Sequence, residues 1–485
     1  MGIVLKQSAW NTAITFVGFG IGAVNALFLY TYFLSDKDYG LVMVILSTGA
    51  ILMPLMALGM HNTLLRFYEG YHEEGEKDRF LSYSLLLPLI PAAIVAALIG
   101  FFPAPLQLWL GQRNAEVGDF LWHIYFTGLG MAYFEIFYAY SKVQLKSIWG
   151  TGLKEIFPRL GVLVLLLLFH YSVLDIRGFF YGLVGVYLGR ATLMKWYAYR
   201  LRWPKIHFKA PKNNRAVLSY SALILLGGSA SVILLEIDKF MLNQYLDLSK
   251  VAYYGVGVFI ATVIIVPVRA MSHITFPLTA KALHQNDQGE LKSLYTKTSI
   301  NLLAASLLLF LLIVCSLNDL YFLLPEGYGL GWWVVFLIGV IKVMDASLGN
   351  VNSILFYSKY YKGMLLLGIF LAALTIGLNI LFIPQWGAIG AAWATFTAVI
   401  IYNLCKLFFV WKVFGLFPWT GKTAFLLCFG VLLGLLFLWV PLGFSGVLAI
   451  VLRSIVLALI YGLGLYYFAF SEDIKQLMER YLKNG

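Results

Sequence analysis

Charge is what this sequence has least of. Only 12% of its 485 residues are Asp, Glu, Lys or Arg, about half the share of an ordinary soluble domain. The shortage runs along the whole chain, so no segment carries the surface of a soluble domain. Cysteine is nearly absent. The three residues Cys315, Cys405 and Cys428 all fall in apolar stretches, which excludes a disulfide framework and offers no metal-ligand spacing. Long polar loops are missing too. None exceeds roughly 25 residues, too few for an extramembrane catalytic domain. There is no G-x-x-x-x-G-K-[ST], H-E-x-x-H or G-x-S-x-G motif, so ATP hydrolysis and the common hydrolase chemistries are not expected. Gly18, Gly20 and Gly22 follow no strand and sit in an apolar run, where small residues serve helix packing. No cofactor, metal or catalytic residue is expected.

Apolar residues fill the space that charge has left. They make up 61% of the chain, and the mean hydropathy is +0.83. A membrane-spanning helix needs about 20 mostly apolar residues, and about 14 stretches meet that length. They centre on 10–33, 40–65, 80–102, 119–139, 157–174, 178–199, 216–240, 251–278, 294–316, 330–356, 362–383, 387–410, 423–441 and 446–470. The expectation is an all-α integral membrane protein. The first run is too long for the core of a cleavable signal and is expected to be a retained helix.

Orientation follows from Lys and Arg. With both termini inside, Lys37, Arg113, Arg177, Lys239 and Lys250 fall on the outer side, Arg190, Arg269, Lys342 and Arg453 fall deeper within spans, and Arg159, Lys195, Lys297, Lys362 and Lys406 stand near the inner ends of theirs. The rest of the 35 basic residues lie inside, the positive-inside pattern. The net charge of +12 is thereby assigned to juxtamembrane segments facing anionic lipid, and no nucleic-acid partner is expected.

The chain also repeats itself at an offset of about 215 residues, as transporter lobes do. Tyr39 and Gly40 match Tyr254 and Gly255, Pro54 matches Pro267, His61 lies near His273, and Tyr140, Ser141 and Lys142 match Tyr357, Ser358 and Lys359. Six helices per repeat give two parallel lobes. The expected organisation is an N-terminal lobe at 1–200, a basic cytoplasmic linker at 201–215 and a C-terminal lobe at 216–412. Helices 13 and 14 follow at 413–470, and an amphipathic helix on the inner surface at 471–485. Parallel lobes with neither ATPase nor catalytic domain suggest a secondary transporter rocking about a central site.

Three stretches then carry a family resemblance. Asp238 and Lys239 with Tyr254 and Gly255, the turn holding Pro384, Gly387 and Gly390, and the N-terminal region from Asn11 through Gly59 to Arg66 are similar to the bacterial polysaccharide (O-antigen and oligosaccharide) flippases. These belong to the multidrug/oligosaccharidyl-lipid/polysaccharide exporter superfamily. The glycine of the family's entry to helix eight is displaced here, where the order is Val251, Ala252, Tyr253, Tyr254, Gly255. The resemblance implies a flippase in the bacterial inner membrane. It would move undecaprenyl-pyrophosphate-linked oligosaccharides outward by alternating access for surface polysaccharide and lipopolysaccharide, beside a polymerase and other assembly proteins. Related branches move the peptidoglycan precursor or export drugs in exchange for cations. The extra helices 13 and 14 favour the lipid branches. A membrane glycosyltransferase or polymerase using the same carriers would need a large acidic outer loop, and none is present.

Ionisable residues within a membrane are costly and mark sites. The substrate-binding candidates are Arg269, Lys342, Asp345, Arg66, His61 and His273. Arg269 lies between Pro267 and Pro277, where a broken helix could line a cavity, and could also snorkel to the inner surface. Lys342 and Asp345 are three apart on one helix face and able to neutralise each other. His61 and His273 could relay protons or simply pack. Arg66 stands on the same rim as an anion attractor or an ordinary inner-face residue. Glu236, Asp238 and Glu135 are candidates for coupling to H+ or Na+. Asp238 with Lys239 also reads as an interfacial pair, and Glu135 as a snorkelling residue. Arg190 and Arg453 stand close enough to the interfaces to be set aside.

Overall fold

The computed structural model describes residues 2–228, 230–439, 445–471 and 479. Among them every expected apolar stretch is helical and no strand occurs. In lipid no water is available to satisfy backbone N–H and C=O groups, so a helix is the available solution for an open chain. Nine helices among the described residues are long and apolar enough to cross a membrane. One of them, Lys362–Phe414, holds both the eleventh and twelfth stretches, which part at a kink where Gly387 leaves helical geometry at φ 59° and ψ −135°. A glycine is needed there, since few other residues adopt that backbone. The other stretches are shorter, carry more charge or are interrupted.

Several stretches are interrupted. The first stretch passes from Gly2–Val24 through a π-turn at Asn25–Leu29 to Tyr30–Phe33. The second breaks between Asp36–Ala57 and Met60–Phe67, where Leu58 and Gly59 are left-handed at φ 49° and 65°. The eighth breaks between Leu248–Thr262 and Val266–His284 across a 3-10 turn. The tenth divides into Trp332–Ser347 and Val351–Tyr357 around Gly349 at φ 56°. Three helix starts carry side-chain caps. Ser35 accepts from the Asp38 amide at 3.1 Å, Asp175 from Gly178 at 2.8 Å and Asp287 from Glu290 at 2.8 Å, which satisfies donors a first turn leaves open. Asp175 thereby starts Ile176–Leu201 and separates it from Phe157–His170.

The chain divides into two compact units, Met1–Ala252 with Gly368–Gly387, and Tyr253–Leu367 with Ala388–Gly485. In the first, Leu121–Val143 is the hub, packed on Asp36–Ala57 and Ile176–Leu201. Small residues permit the approach. A Cβ on Gly128 would stand 2.9 Å from the Gly49 carbonyl oxygen, and one on Gly130 2.9 Å from that of Tyr187. Helices without a hydrophobic drive between them associate through such close backbone packing.

The basic segment after Leu201 is strapped to the first unit. Arg202 pairs with Glu74 at 2.6 Å and Asp78 at 2.8 Å. Ser82 Oγ donates to the Lys205 carbonyl and accepts from the His207 amide, both at 2.9 Å. Tyr71 donates its hydroxyl to Asn213.

In the second unit, Gln288–Cys315 packs on Trp332–Ser347, Val266–His284, Gly421–Trp439 and Val447–Tyr467. Arg453 and Asp319 form a largely buried ion pair at 2.5 Å, and Arg453 also donates to the Cys315 carbonyl at 2.7 Å. The three cysteines are unpaired. Beyond Ser471 only Glu479 is described, so the expected terminal helix lies outside the described residues.

Candidate functional site

The first unit gathers charge that an apolar interior does not need. Glu135, on Leu121–Val143, pairs with Lys154 of Ile148–Glu155 at 2.6 Å. The Glu135 side chain is 17% exposed and that of Lys154 43%, so the carboxylate is held by a partner that itself reaches the surface. Lys142 stands 3.8 Å over the Tyr138 ring, and His61 and Lys142 both lie within electrostatic range of Glu135. One turn on, Arg159 pairs with Glu155 at 3.1 Å, while its carbonyl accepts from Asn25 at 2.7 Å. That bond fastens the π-turn of the first stretch to the cluster.

Arg190 completes the group from Ile176–Leu201. It is 8% exposed, with its guanidinium 4.3 Å over Phe134 and 5.0 Å over Tyr187. No carboxylate of the described residues lies within ion-pair distance of it, and its Nε finds no hydrogen-bond partner. Glu135 and Glu155 reach it only through longer-range attraction. Tyr187 is also in the field of Arg159 and Glu236. Lys142, Lys154, Arg159 and Arg190 thus share one region with Glu135 and Glu155, leaving cation in excess. Aromatic faces hold such a cation without neutralising it. A guanidinium fork in low dielectric is suited to phosphate oxygens, which it can grip through paired charge-assisted hydrogen bonds.

The other candidates of this unit take separate places. His61 follows the break at 58–59. Its Nε2 lies 3.1 Å from the Asn62 amide nitrogen, and its Nδ1 is unsatisfied. Arg66 is exposed and stacks 4.6 Å over Tyr220. Lys239 pairs with Glu236 at 2.5 Å. Residues three apart on a helix share a face, which brings these two together. Asp238 is 5% exposed and accepts from Asn379 at 2.8 Å.

In the second unit, Arg269 is exposed near the start of Val266–His284 and forms no ion pair among the described residues. Pro267, two residues before it, sits in the first helical turn, a place proline tolerates, directly after the 3-10 turn at Val263–Ile265, and Pro277 lies inside the helix. The side chain of His273 lies outside the described residues. Lys342 and Asp345 are not within ion-pair distance, which corrects the expected neutralising pair. Asp345 instead accepts from Asn403 at 2.6 Å. Nearby Lys406, 3% exposed, donates to Asn352 at 3.3 Å and rests 4.3 Å over Tyr402.

Four cations that matter were therefore not singled out in the sequence. Lys154, Arg159 and Lys406 fall near span ends and merge with the positive-inside excess, and Arg190 was set aside as interfacial. Arg190 carried one usable clue. Aromatic residues flank it at Tyr187 and at Tyr197 and Tyr199, although only Tyr187 of these stacks on it.

These helices define a multi-pass membrane protein with the fold of the multidrug/oligosaccharidyl-lipid/polysaccharide transporter superfamily. A solved structure titled lipid II flippase MurJ, inward closed conformation, superposes with a TM-score of 0.69 at 15% identity, covering 95% of this chain and 99% of that one. A multidrug MATE transporter crystallised with MaL6 gives 0.59 at 15% identity, covering 84% and 96%. A superfamily transporter from Pyrococcus furiosus gives 0.57 at 14% identity, covering 85% and 95%. No curated protein sequence matches. The family model for polysaccharide biosynthesis proteins matches residues 4–283, more than half of the chain, and the chain belongs to that family.

Proposed function

We propose that the protein is a flippase that carries a lipid-linked oligosaccharide, on an undecaprenyl-pyrophosphate carrier, from the inner to the outer leaflet of the bacterial inner membrane. The observation behind this reading is the cation excess around Arg190, buried in a helix bundle and held by Phe134 and Tyr187 without a carboxylate partner. A pyrophosphate head group supplies the missing counter-charge. Membership of the polysaccharide biosynthesis family agrees with a sugar cargo, and a surface polysaccharide polymerase is the expected neighbour. The Lys and Arg distribution supports a cytoplasmic position for both termini. Each negative charge leaving an inside-negative cell gains about 2.3 kcal/mol per 100 mV, so the membrane potential favours export. Asp238 is the proposed site for a coupling H+ or Na+, since its carboxylate is buried and accepts from Asn379.

The test is export in a deletion strain complemented with Arg159→Gln/Arg190→Gln. Surface polysaccharide should be lost while the protein still accumulates in the membrane, and normal export would refute the assignment. The lipid II flippase likeness, over 95% of the chain, supports a second reading with a peptidoglycan precursor as cargo. Depletion then causes lysis, whereas the first reading predicts viable cells lacking a surface glycan. The MATE likeness covers 84% of this chain, and the two helices beyond twelve favour a lipid cargo over a drug. Drug efflux in vesicles would overturn that distinction.

A further inference from the structure

A cavity of about 480 Å³ lies in the second unit, away from all the ionisable groups described above. It opens where Gly421–Trp439 begins, against the early turns of Gln288–Cys315 and the segment that follows Val447–Tyr467. Its walls are of two kinds. Thr296, Lys297, Thr420 and Lys422 supply the polar side, and Ile300 and Phe470 the apolar floor. Phe470 belongs to a ring cluster, 5.1 Å from Phe425, 6.0 Å from Phe429 and 5.7 Å from Phe468.

The two lysines come from helices more than 100 residues apart in sequence. Lys422 donates to the Ala469 carbonyl at 3.1 Å. Neither lysine is paired with a carboxylate among the described residues. The helix that starts at the cavity turns large apolar side chains outward, with Phe425 49%, Val431 59% and Leu432 68% exposed, as a lipid-facing helix does. The cavity therefore stands at the level where acyl chains give way to head groups. In the expected orientation that level is the inner leaflet, where anionic lipid is concentrated.

We propose that this cavity binds the phosphate head group of an anionic membrane phospholipid. The two ammonium groups and the Thr420 hydroxyl take the phosphate oxygens, while Thr296 donates its hydroxyl to the Lys292 carbonyl at 3.0 Å, and the Phe470 cluster takes the start of an acyl chain. A zwitterionic head group brings its own cation toward two lysines and is disfavoured. The site does not depend on which cargo the protein carries.

The experiment uses the purified full-length protein in uncharged detergent. Thermal melting and lipid retention by native mass spectrometry are followed with added phosphatidylglycerol, phosphatidylcholine, or glycerol phosphate and inorganic phosphate. Phosphatidylglycerol should raise the melting temperature, and phosphatidylcholine and the soluble phosphates should not. Lys297→Gln/Lys422→Gln should bind phosphatidylglycerol about 30-fold more weakly, from the usual contribution of two lysines at a membrane surface. Its lipid-free melting temperature should match the parent, and Lys297→Arg/Lys422→Arg should restore binding. The control Lys205→Gln/Lys209→Gln should keep the full response. An equal phosphatidylglycerol response in the Gln variant and the parent overturns the proposal. So does a response to soluble phosphate of the same size as to lipid, which would assign the cavity to a free anion.

Discussion

Replacing Arg190 by Gln separates a transport site from a structural one. In the folded chain the guanidinium rests on Phe134 at 4.3 Å and Tyr187 at 5.0 Å. Each cation–π contact is worth about 0.5–2 kcal/mol. Against this stands the cost of burying a charge with no paired carboxylate, which reaches several kcal/mol. The two nearly offset, so Gln should leave the melting temperature of the substrate-free protein close to that of the parent. With a pyrophosphate in place the balance differs. A hydrogen bond to a charged group contributes about 1.5–3 kcal/mol, so losing it should weaken substrate binding about 10- to 100-fold. The assay is flipping of a pyrophosphate-linked oligosaccharide in proteoliposomes, with the half-saturating concentration as readout. Arg190→Lys should fall between, because it keeps the charge and loses the fork. An unchanged half-saturating concentration in Arg190→Gln would refute the reasoning. A collapse of the substrate-free melting temperature would also refute it, by making Arg190 a structural residue.

Three further outcomes are expected. Gly59→Ala should destabilise the protein by about 1–3 kcal/mol, because Gly59 is at φ 65° and the added Cβ would lie 2.8 Å from the Ser221 carbonyl oxygen. Gly20→Ala, with nothing within 4 Å, should be neutral in the same denaturation assay, and equal effects would contradict the geometry. Arg453→Met should cost about 3–5 kcal/mol by leaving Asp319 buried and unpaired. Arg453→Met/Asp319→Leu should recover most of that, and additive losses in the double variant would count against a charge effect. Asp238→Asn should abolish the dependence of transport on a Na+ or pH gradient while preserving insertion. A variant that follows the gradient like the parent would remove Asp238 from the coupling role.

Much of this molecule was determined by its sequence alone. The shortage of charge and the length of the apolar runs fixed a helical membrane protein, since in lipid the backbone must satisfy itself. The Pro384 to Gly390 turn marked where one long apolar region becomes two helices, and Gly387 does leave helical geometry there. The identity of the ionisable partners was decided only by tertiary structure. Lys342 and Asp345 stand one turn apart, yet Asp345 is held by Asn403, and Lys239 pairs with Glu236. Arg190 looked interfacial by position, but Phe134 from another helix covers it. Spacing along a helix says which residues share a face. Which neighbouring helix supplies the amide, the ring or the opposite charge depends on how the bundle packs, and that is where the chemistry of the site was set.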